Sequence, residues 1–335
     1  MRIVLIGFSQ GYYAVEYTRY LSRLKGIDIP VVCDLGENSE YVRSCAFVDA
    51  AAFADDVGAR LVHTMDEALS CQPDAVLICC ETMQHTKLAQ QALKVGAYVF
   101  VSKPLCFSSD QADALAMYPG SNRILCGQPL RHEEGIRELI DRIHEIGKPY
   151  SVRIRLCHAA MVDQVWERDS SKSGGPLGTY GVYLFDLARI LGGEMIDTLY
   201  ALGLNTSTPQ IQDVDTVKIL AKGNRVQFVL ELFSAVQTPM PFFQAEVTGD
   251  CGMLVTHYDN AVTVAHFPDS QRAGALRTSN MAHGEMDHFL DCINGKSSPA
   301  CSVKNMQYIT RCIEATRTSM AAFKPVTIDK EGIKE

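Results

Sequence analysis

The sequence near the N-terminus runs Ile3-Val4-Leu5-Ile6-Gly7-Phe8-Ser9-Gln10-Gly11-Tyr12. Four apolar residues followed by a glycine predict a strand that is buried on both faces and ends in a tight turn. In a doubly wound α/β sheet, this first turn leads into a helix whose N-terminal N–H groups hold a phosphate group. The glycine pattern is incomplete, because Ser9 and Tyr12 stand at the second and third glycine positions and Gly11 comes one residue early. Taken alone, the stretch fits a cofactor loop and an ordinary tight turn equally well.

The same strand-and-helix pattern repeats up to about residue 127, which predicts βαβ units and a parallel sheet. The predicted strands are residues 3–6, 29–33, 75–80, 98–101 and 124–127, and the clearest helices between them are residues 64–70 and 85–95. Asp34 stands at the carboxyl end of the second strand, where a carboxylate accepts hydrogen bonds from the ribose hydroxyls of adenosine and repels a 2′-phosphate. This favours NAD over NADP. The alternative is that Asp34 only caps the next helix.

Beyond residue 127 the pattern predicts an α+β domain with an open, mainly antiparallel sheet. Its predicted strands are residues 151–157, 198–204, 214–221, 226–234, 243–248, 253–257 and 261–266, and its predicted helices are residues 133–146, 181–191, 285–293 and 303–323. We therefore expect a dinucleotide-binding domain at residues 1–127 and a domain for substrate binding and oligomerisation at residues 128–335. The run from residue 226 to 233 is apolar on both faces, which predicts a homodimer or homotetramer formed through this sheet.

Composition excludes several classes of protein. The chain has 335 residues, 47% of them hydrophobic, and a formal charge of -8 without a basic patch, so we expect no nucleic-acid partner. No run approaches the roughly 20 apolar residues of a membrane span, so no membrane partner is expected. The 12 cysteines lie in apolar runs without a Cys-x-x-Cys pair, which indicates reduced thiols, a cytoplasmic location and no metal site.

Three later motifs occur in order along the chain. Residues 74–85 form an apolar strand that ends in Cys80-Glu81-Thr82 and is followed by His85; residues 96–104 end in Ser102-Lys103-Pro104; and residues 173–186 read Ser-Gly-Gly-Pro-Leu-Gly-Thr-Tyr-Gly-Val-Tyr-Leu-Phe-Asp. Together with the first turn, they resemble the Gfo/Idh/MocA family of two-domain oxidoreductases over nearly the whole chain. The family has Thr-Pro-Asn in the first motif and Glu-Lys-Pro in the second, so this chain keeps His85, Lys103 and Pro104 and replaces the other residues.

The resemblance implies an N-terminal Rossmann domain that binds NAD. The implied cofactor-binding residues are Gly7, Phe8, Ser9, Gly11, Tyr12, Asp34, Cys80, Glu81, His85, Ser102 and Lys103.

The glycine-rich third motif implies the catalytic residues. The family usually has an Asp and a His four residues apart at this place, and this chain has Thr179 and Tyr183. A Tyr at the second position is similar to the family's dihydrodiol dehydrogenase and glucose-fructose oxidoreductase branches, where a phenol exchanges the proton. A phenol with a reference pKa near 10 needs a nearby cation to act at neutral pH, and the resemblance assigns that role to Lys103. The alternative is that Tyr183 is an ordinary helix aromatic.

The expected substrate-binding residues are Gln128, Arg131, Trp166, Arg168, Thr179 and Asp186. Arg131 either binds a substrate carboxylate or pairs with Glu134, and Asp186 either binds substrate hydroxyls or is a surface charge. The expected function is hydride transfer between NAD(P) and a hydroxyl-bearing carbon of a sugar, cyclitol or similar small polyol. The alternative is a dinucleotide-binding sensor or scaffold protein without hydride transfer, because Ser9, Ser102, Ser173 and Thr179 replace residues that the family usually keeps.

Overall fold

The computed structural model describes residues 1–9, 11–36, 49–158, 168–206, 208–211, 213–234, 243–259, 262–266, 274–277, 280–331 and 333. These residues form two compact units. The first is Met1–Gln128 with Ala282–Gln307, and the second is Pro129–Met281 with Tyr308–Glu335. The sequence predicted a single boundary between residues 127 and 128, whereas in the structure residues 282–307 return to the first unit. No helix in the described part of the chain is long and apolar enough to span a bilayer.

The described residues of the first unit contain a six-stranded parallel sheet. Its strands are β1 Ile3–Ile6, β2 Val31–Cys33, β3 Arg60–Val62, β4 Ala75–Ile78, β5 Tyr98–Val101 and β6 Ile124–Cys126. Their order is β3-β2-β1-β4-β5-β6, with every pair parallel, and this confirms the predicted doubly wound sheet. The prediction missed β3, because only the last of its three residues is buried and it leaves no continuous apolar run.

Five helices lie between β1 and β6 along the described chain. They are α1 Gly11–Ser22, α2 Ala50–Val57, α3 Met65–Leu69, α4 Thr82–Lys94 and α5 Ser109–Ala116, with a 3-10 turn at Ser121–Arg123. The prediction missed α2 and α5. Both carry side-chain caps, since Asp49 accepts from the Ala52 N–H and Ser108 accepts from the Gln111 N–H.

The described part of the second unit is built on a nine-stranded mixed sheet. Its strands are β7 Pro149–Cys157, β8 Thr198–Leu204, β9 Thr216–Lys222, β10 Gln227–Phe233, β11 Phe243–Gly249, β12 Gly252–Asp259, β13 Val262–His266, β14 Gly274–Arg277 and β15 Val326–Thr327. The order is β14-β13-β12-β11-β7-β10-β9-β8-β15. The pair β7–β10 is parallel and the other described pairs are antiparallel, which confirms the predicted, mainly antiparallel sheet.

The remaining helices are α6 Glu134–Arg142, α7 Ser170–Ser173, α8 Gly175–Gly192, α9 Met281–Ile293 and α10 Val303–Ala322, with 3-10 turns at Pro129–His132 and Ile143–Ile146.

Helix α8 packs on β7 and β10 and is buried along nearly its whole length. It begins six residues before the predicted start at Gly181. Gly174 and Gly175 reverse the chain at φ +76° and +66°, and Pro176 fits the first helical turn, where a missing N–H costs nothing. The glycine-rich stretch before Gly181 is therefore the first part of the helix.

Candidate functional site

The first turn requires a glycine for two independent reasons. Gly7 lies at the end of β1 with φ +80°, a conformation that disfavours residues with a Cβ atom. A Cβ on Gly7 would also lie 2.5 Å from the Cβ of Cys80. The backbone of the turn therefore passes directly against the end of β4, as a phosphate-binding turn does.

Helix α1 begins at Gly11, directly after this turn, and has no acidic residue in its first turn. Its N-terminal N–H groups can therefore attract an anion without competition from a carboxylate. Ser9 is fully buried and Tyr12 is 53% exposed. Phe8 packs edge-on against Phe53 in the core of the first unit, so only its backbone could touch a cofactor.

Asp34 follows β2, and its side chain makes a local turn. The carboxylate Oδ1 accepts the N–H of Gly36 at 2.9 Å, while the backbone carbonyl of Asp34 contacts the His63 ring at 3.1 Å. One carboxylate oxygen is thus fixed in place by the turn. Residues 37–48 lie outside the described chain.

His85 contacts both of the loops that follow β4 and β5. Its ring is fully buried, with Nδ1 2.8 Å from the carbonyl oxygen of Pro104 and Nε2 2.9 Å from that of Cys80. Burial lowers the pKa of His85 to about 4, an effect larger than the opposing effect of the two carbonyl contacts. The ring is neutral at pH 7 and donates to one of the two carbonyls. His85 therefore connects the two loops from within the protein, and its ring does not point to solvent.

Glu81 is the N-cap residue of α4 but makes no side-chain capping hydrogen bond. Cys80 is fully buried, and its thiol lies 3.5 Å from the carbonyl oxygen of Glu81. Thr82, the first residue of α4, is 2% exposed, and its hydroxyl has no hydrogen-bond partner within the described residues. The Thr82 hydroxyl at this helix N-terminus is thus left without a partner among the described residues.

Lys103 lies two residues beyond β5 and is 8% exposed. A Cβ on Gly127, which follows β6, would lie 3.2 Å from the backbone nitrogen of Lys103, so the two strand ends approach closely. Ser102 and Gln128 are each 2% exposed. The Ser102 hydroxyl reaches only the thiol of Cys79, and the amide of Gln128 has no hydrogen-bond partner among the described residues.

A second group of polar residues lies along helix α8. Thr179, Tyr183 and Asp186 are spaced one helical turn apart and are 9%, 4% and 1% exposed. Arg131 holds the Asp186 carboxylate in a two-point ion pair, with Nε–Oδ2 at 2.6 Å and Nη2–Oδ1 at 2.5 Å. Asp186 is therefore a buried group and not a surface charge. Arg131 has Asp186 as an ion-pair partner, where the sequence had suggested Glu134. Their roles as substrate ligands stay predictions.

Of the predicted substrate residues Arg168 and Trp166, the structure describes Arg168 alone. Arg168 is exposed, and Trp166 lies outside the described residues. The described residues contain no cluster of three or more metal-ligating side chains, and the eleven cysteines among them are free thiols.

Two regions of the chain match known family models. Residues 1–122 match the oxidoreductase family with an NAD-binding Rossmann fold, and residues 135–255 match the GFO/IDH/MocA C-terminal domain. The chain belongs to the Gfo/Idh/MocA family of oxidoreductases. The resemblance inferred from the motifs is confirmed.

Known proteins align with the chain over part or most of its length. The uncharacterized oxidoreductase YrbE of Bacillus subtilis (strain 168) is 26% identical over 336 residues, covering 93% of this chain and 93% of that protein. Myo-inositol 2-dehydrogenase of Thermotoga maritima is 26% identical over 163 residues, covering 44% of this chain and 46% of that protein. An oxidoreductase from Agrobacterium radiobacter, solved in complex with NAD+, L-tartaric acid and magnesium, superposes with a TM-score of 0.78 at 18% identity, covering 98% of each chain. The last similarity shows a shared fold.

The first unit of this Gfo/Idh/MocA chain fits a dinucleotide. The turn at Gly7 leaves no room for a side chain, and α1 presents an N-terminus without acidic residues. Thr82, Ser102 and Gln128 add buried polar atoms at the carboxyl ends of three neighbouring strands. Buried polar atoms without a partner cost free energy. A polar ligand bound at this edge of the sheet would supply the missing hydrogen-bond partners.

The sequence did not predict one pair that lies beside Thr179. The Tyr180 hydroxyl lies 3.0 Å from His158 Nδ1, and the two rings stack at 4.6 Å. Tyr180 is one residue after Thr179, and His158 directly follows β7. The chemistry of each residue was visible in the sequence, but their pairing depends on how α8 packs on β7.

Proposed function

We propose that this protein is an NAD-dependent dehydrogenase that acts on a CH–OH group of a sugar, cyclitol or similar small polyol. The observation that carries the proposal is the pair of buried groups that match the family's catalytic positions, Lys103 after β5 and Tyr183 on α8. Both groups can hold or move a proton at an oxygen atom, and both are largely withheld from water.

Bound NAD supplies the acceptor or donor of a hydride. In the proposed mechanism, the Lys103 ammonium binds the reacting substrate oxygen and stabilises the negative charge that develops on it. The Tyr183 hydroxyl exchanges the proton with the same oxygen. Low exposure strengthens the effect of the lysine charge, because little water screens it.

The polar groups on α8 support a polyol as substrate. Beside Tyr183, the Thr179 hydroxyl and the Asp186–Arg131 ion pair present donors and acceptors along one helix face. Substrates with several hydroxyl groups match such a mixed set, since each hydroxyl both donates and accepts. The similarity to myo-inositol 2-dehydrogenase of Thermotoga maritima agrees with this class.

We propose NAD over NADP as the cofactor, because Asp34 places a negative charge at the end of β2. A 2′-phosphate would be repelled there, whereas ribose hydroxyls would donate to the carboxylate. The solved oxidoreductase from Agrobacterium radiobacter holds NAD+.

The test is absorbance of reduced nicotinamide during incubation of the protein with NAD+ and a panel of cyclitols, aldoses and alditols. We expect turnover with at least one member of the panel, and binding of NADH in a separate titration. Binding of NADH without turnover of any substrate would contradict the enzyme and favour a sensor or scaffold. Failure to bind NADH would contradict both functions.

A further inference from the structure

The strongest unexplained feature of the described chain is the side chain of Gln128. It is 2% exposed, and neither Nε2 nor Oε1 has a hydrogen-bond partner among the described residues. A buried amide that leaves two donors and one acceptor unused is strongly unfavourable, and native proteins retain such groups where a partner is supplied by something else.

The backbone around Gln128 is held firmly in place. Its N–H donates to the carboxylate of Glu285, which is 1% exposed and also accepts from the Tyr17 hydroxyl at 2.5 Å. On the other side, Gly127 packs against the backbone of Lys103. The backbone from which the amide projects is therefore fixed by structure that needs no ligand, as a binding group requires.

Gln128 also lies in a row of similar residues. It follows β6, Ser102 follows β5 and Thr82 follows β4, and these three strands are neighbours in the sheet. Each residue is 2% exposed, and each has a polar side-chain atom without an oxygen or nitrogen partner in the described chain. Three such residues at one edge of one sheet indicate a ligand with several polar groups along its length.

We infer that Gln128 binds the carboxamide of the nicotinamide ring, rather than the substrate. The inference rests on the proposed NAD-dependent function. A carboxamide has one carbonyl acceptor and an NH₂ group with two donors, which is the complement of a glutamine amide. Lys103, which the proposed mechanism places at the reacting oxygen, is a backbone neighbour of Gly127. Binding the carboxamide beside it would fix the orientation of the ring that exchanges the hydride.

The test measures binding rather than activity. Gln128→Met keeps the length of the side chain and removes its polar atoms. We expect this variant to bind NADH on the order of tenfold more weakly while binding ADP-ribose, which lacks the nicotinamide, as the wild type does. We also expect a thermal unfolding midpoint at least as high as that of the wild type, because unpartnered buried atoms are removed.

A cofactor analogue tests the same contact without a variant. In reduced 3-acetylpyridine adenine dinucleotide a methyl group replaces the amide NH₂, so the wild type should bind it on the order of tenfold more weakly than NADH. Gln128→Met should bind both equally. Gln91→Met is the matched control, because Gln91 on α4 also has an unpartnered buried Oε1 but lies away from the strand ends, and it should behave as the wild type.

Two results would overturn the inference, and only the second would also overturn the proposed function. If Gln128→Met retains the wild-type affinity for NADH, or the wild type does not discriminate against the analogue, Gln128 does not bind the carboxamide, while the proposed function stands. If the wild type binds neither ADP-ribose nor NADH, the proposed function fails as well.

Discussion

His85 is a buried base whose charged form the folded protein disfavours. Burial lowers its pKa to about 4 from an ordinary value of 6.5. In the unfolded chain the ring gains its proton first as the pH falls, so stability is complete above pH 6.5 and is lost progressively down to pH 4. The full difference corresponds to about 3 kcal/mol at roughly 1.4 kcal/mol for each unit of pKa.

We therefore expect the free energy of unfolding to fall less steeply between pH 6.5 and pH 4 in His85→Gln than in the wild type. Urea unfolding at several pH values measures the slope. His144→Gln, which replaces an exposed histidine, is the control for the substitution itself. An unchanged slope in His85→Gln would show that the buried ring does not carry this pH dependence.

Asp34 sets the cofactor preference in the proposed function. Asp34→Ser removes the charge but keeps a side-chain oxygen for the Gly36 N–H. We expect NADH to bind about tenfold more weakly, because its ribose hydroxyls lose a charged acceptor. NADPH should bind more tightly, because the repulsion of its 2′-phosphate is gone.

Fluorescence titration with both reduced cofactors measures the two affinities. Asp110→Ser, which removes an exposed charge from α5, should leave both of them unchanged. Unchanged binding of NADPH by Asp34→Ser would show that Asp34 does not discriminate between the cofactors.

At the scale of elements, helix α9 is attached to the first sheet by a buried carboxylate. Glu285 accepts from the Tyr17 hydroxyl of α1 and from the backbone N–H of Gln128. Burial raises the pKa of Tyr17 well above its usual value, and Glu285 raises it further, so the phenol stays protonated and donates. Met286 and Phe289 of the same helix pack in the hydrophobic core of this unit.

We expect Glu285→Ala to lower the free energy of unfolding by about 3 kcal/mol, because two buried donors lose their acceptor. Asp291→Ala on the same helix should change it by less than about 0.5 kcal/mol, since Asp291 forms an exposed ion pair with Lys296 at 3.3 Å. Urea unfolding of both variants makes the comparison. Equal stability of the two variants would contradict a structural role for the buried carboxylate.

The elements also show how far the sequence could be interpreted. The strand at Thr198–Leu204 was predicted with its observed bounds, and the core strands of the first sheet were found because their apolar runs are continuous. Strand β3 and helix α2 were missed, since β3 is short and largely accessible and α2 has eight residues, of which Phe53 and Ala54 are buried.

Within the site, sequence identified residues but not their pairing. Arg131 and Asp186 are 55 residues apart, and His158 and Tyr180 are 22 apart. The sequence offered Glu134 as the partner of Arg131, because neighbours along a helix can be inferred from spacing. Contacts between a helix and a distant strand depend on packing, which spacing does not encode.

At the scale of the whole molecule, we propose self-association through the sheet of the second unit. Leu204, Leu220 and Leu202 on β8 and β9 are 66%, 60% and 48% exposed. Apolar side chains grouped on neighbouring strands are typical of a protein interface. The sequence predicted a second copy of the chain against the same sheet, from the run at residues 226–233.

Light scattering tests this assembly. We expect the wild type to be a dimer or a tetramer and Leu220→Glu to dissociate, because burying a carboxylate without a partner is costly. Met117→Glu is the matched control, because Met117 is an apolar residue of the first unit that is 88% exposed, and it should leave the assembly intact. A wild-type particle with the mass of one chain would contradict the proposal.

In the proposed mechanism, Lys103 and Tyr183 act on one substrate oxygen. The most direct test is a double-mutant cycle of kcat/KM with Lys103→Met and Tyr183→Phe on the best polyol substrate. Each single variant should bind NADH normally and lose turnover by a factor on the order of 10² to 10⁴. Residues that act as a unit are strongly non-additive, so the double variant should be scarcely slower than the worse single one. Near-normal turnover in Tyr183→Phe, or a double variant slowed by the product of the two factors, would contradict the claim.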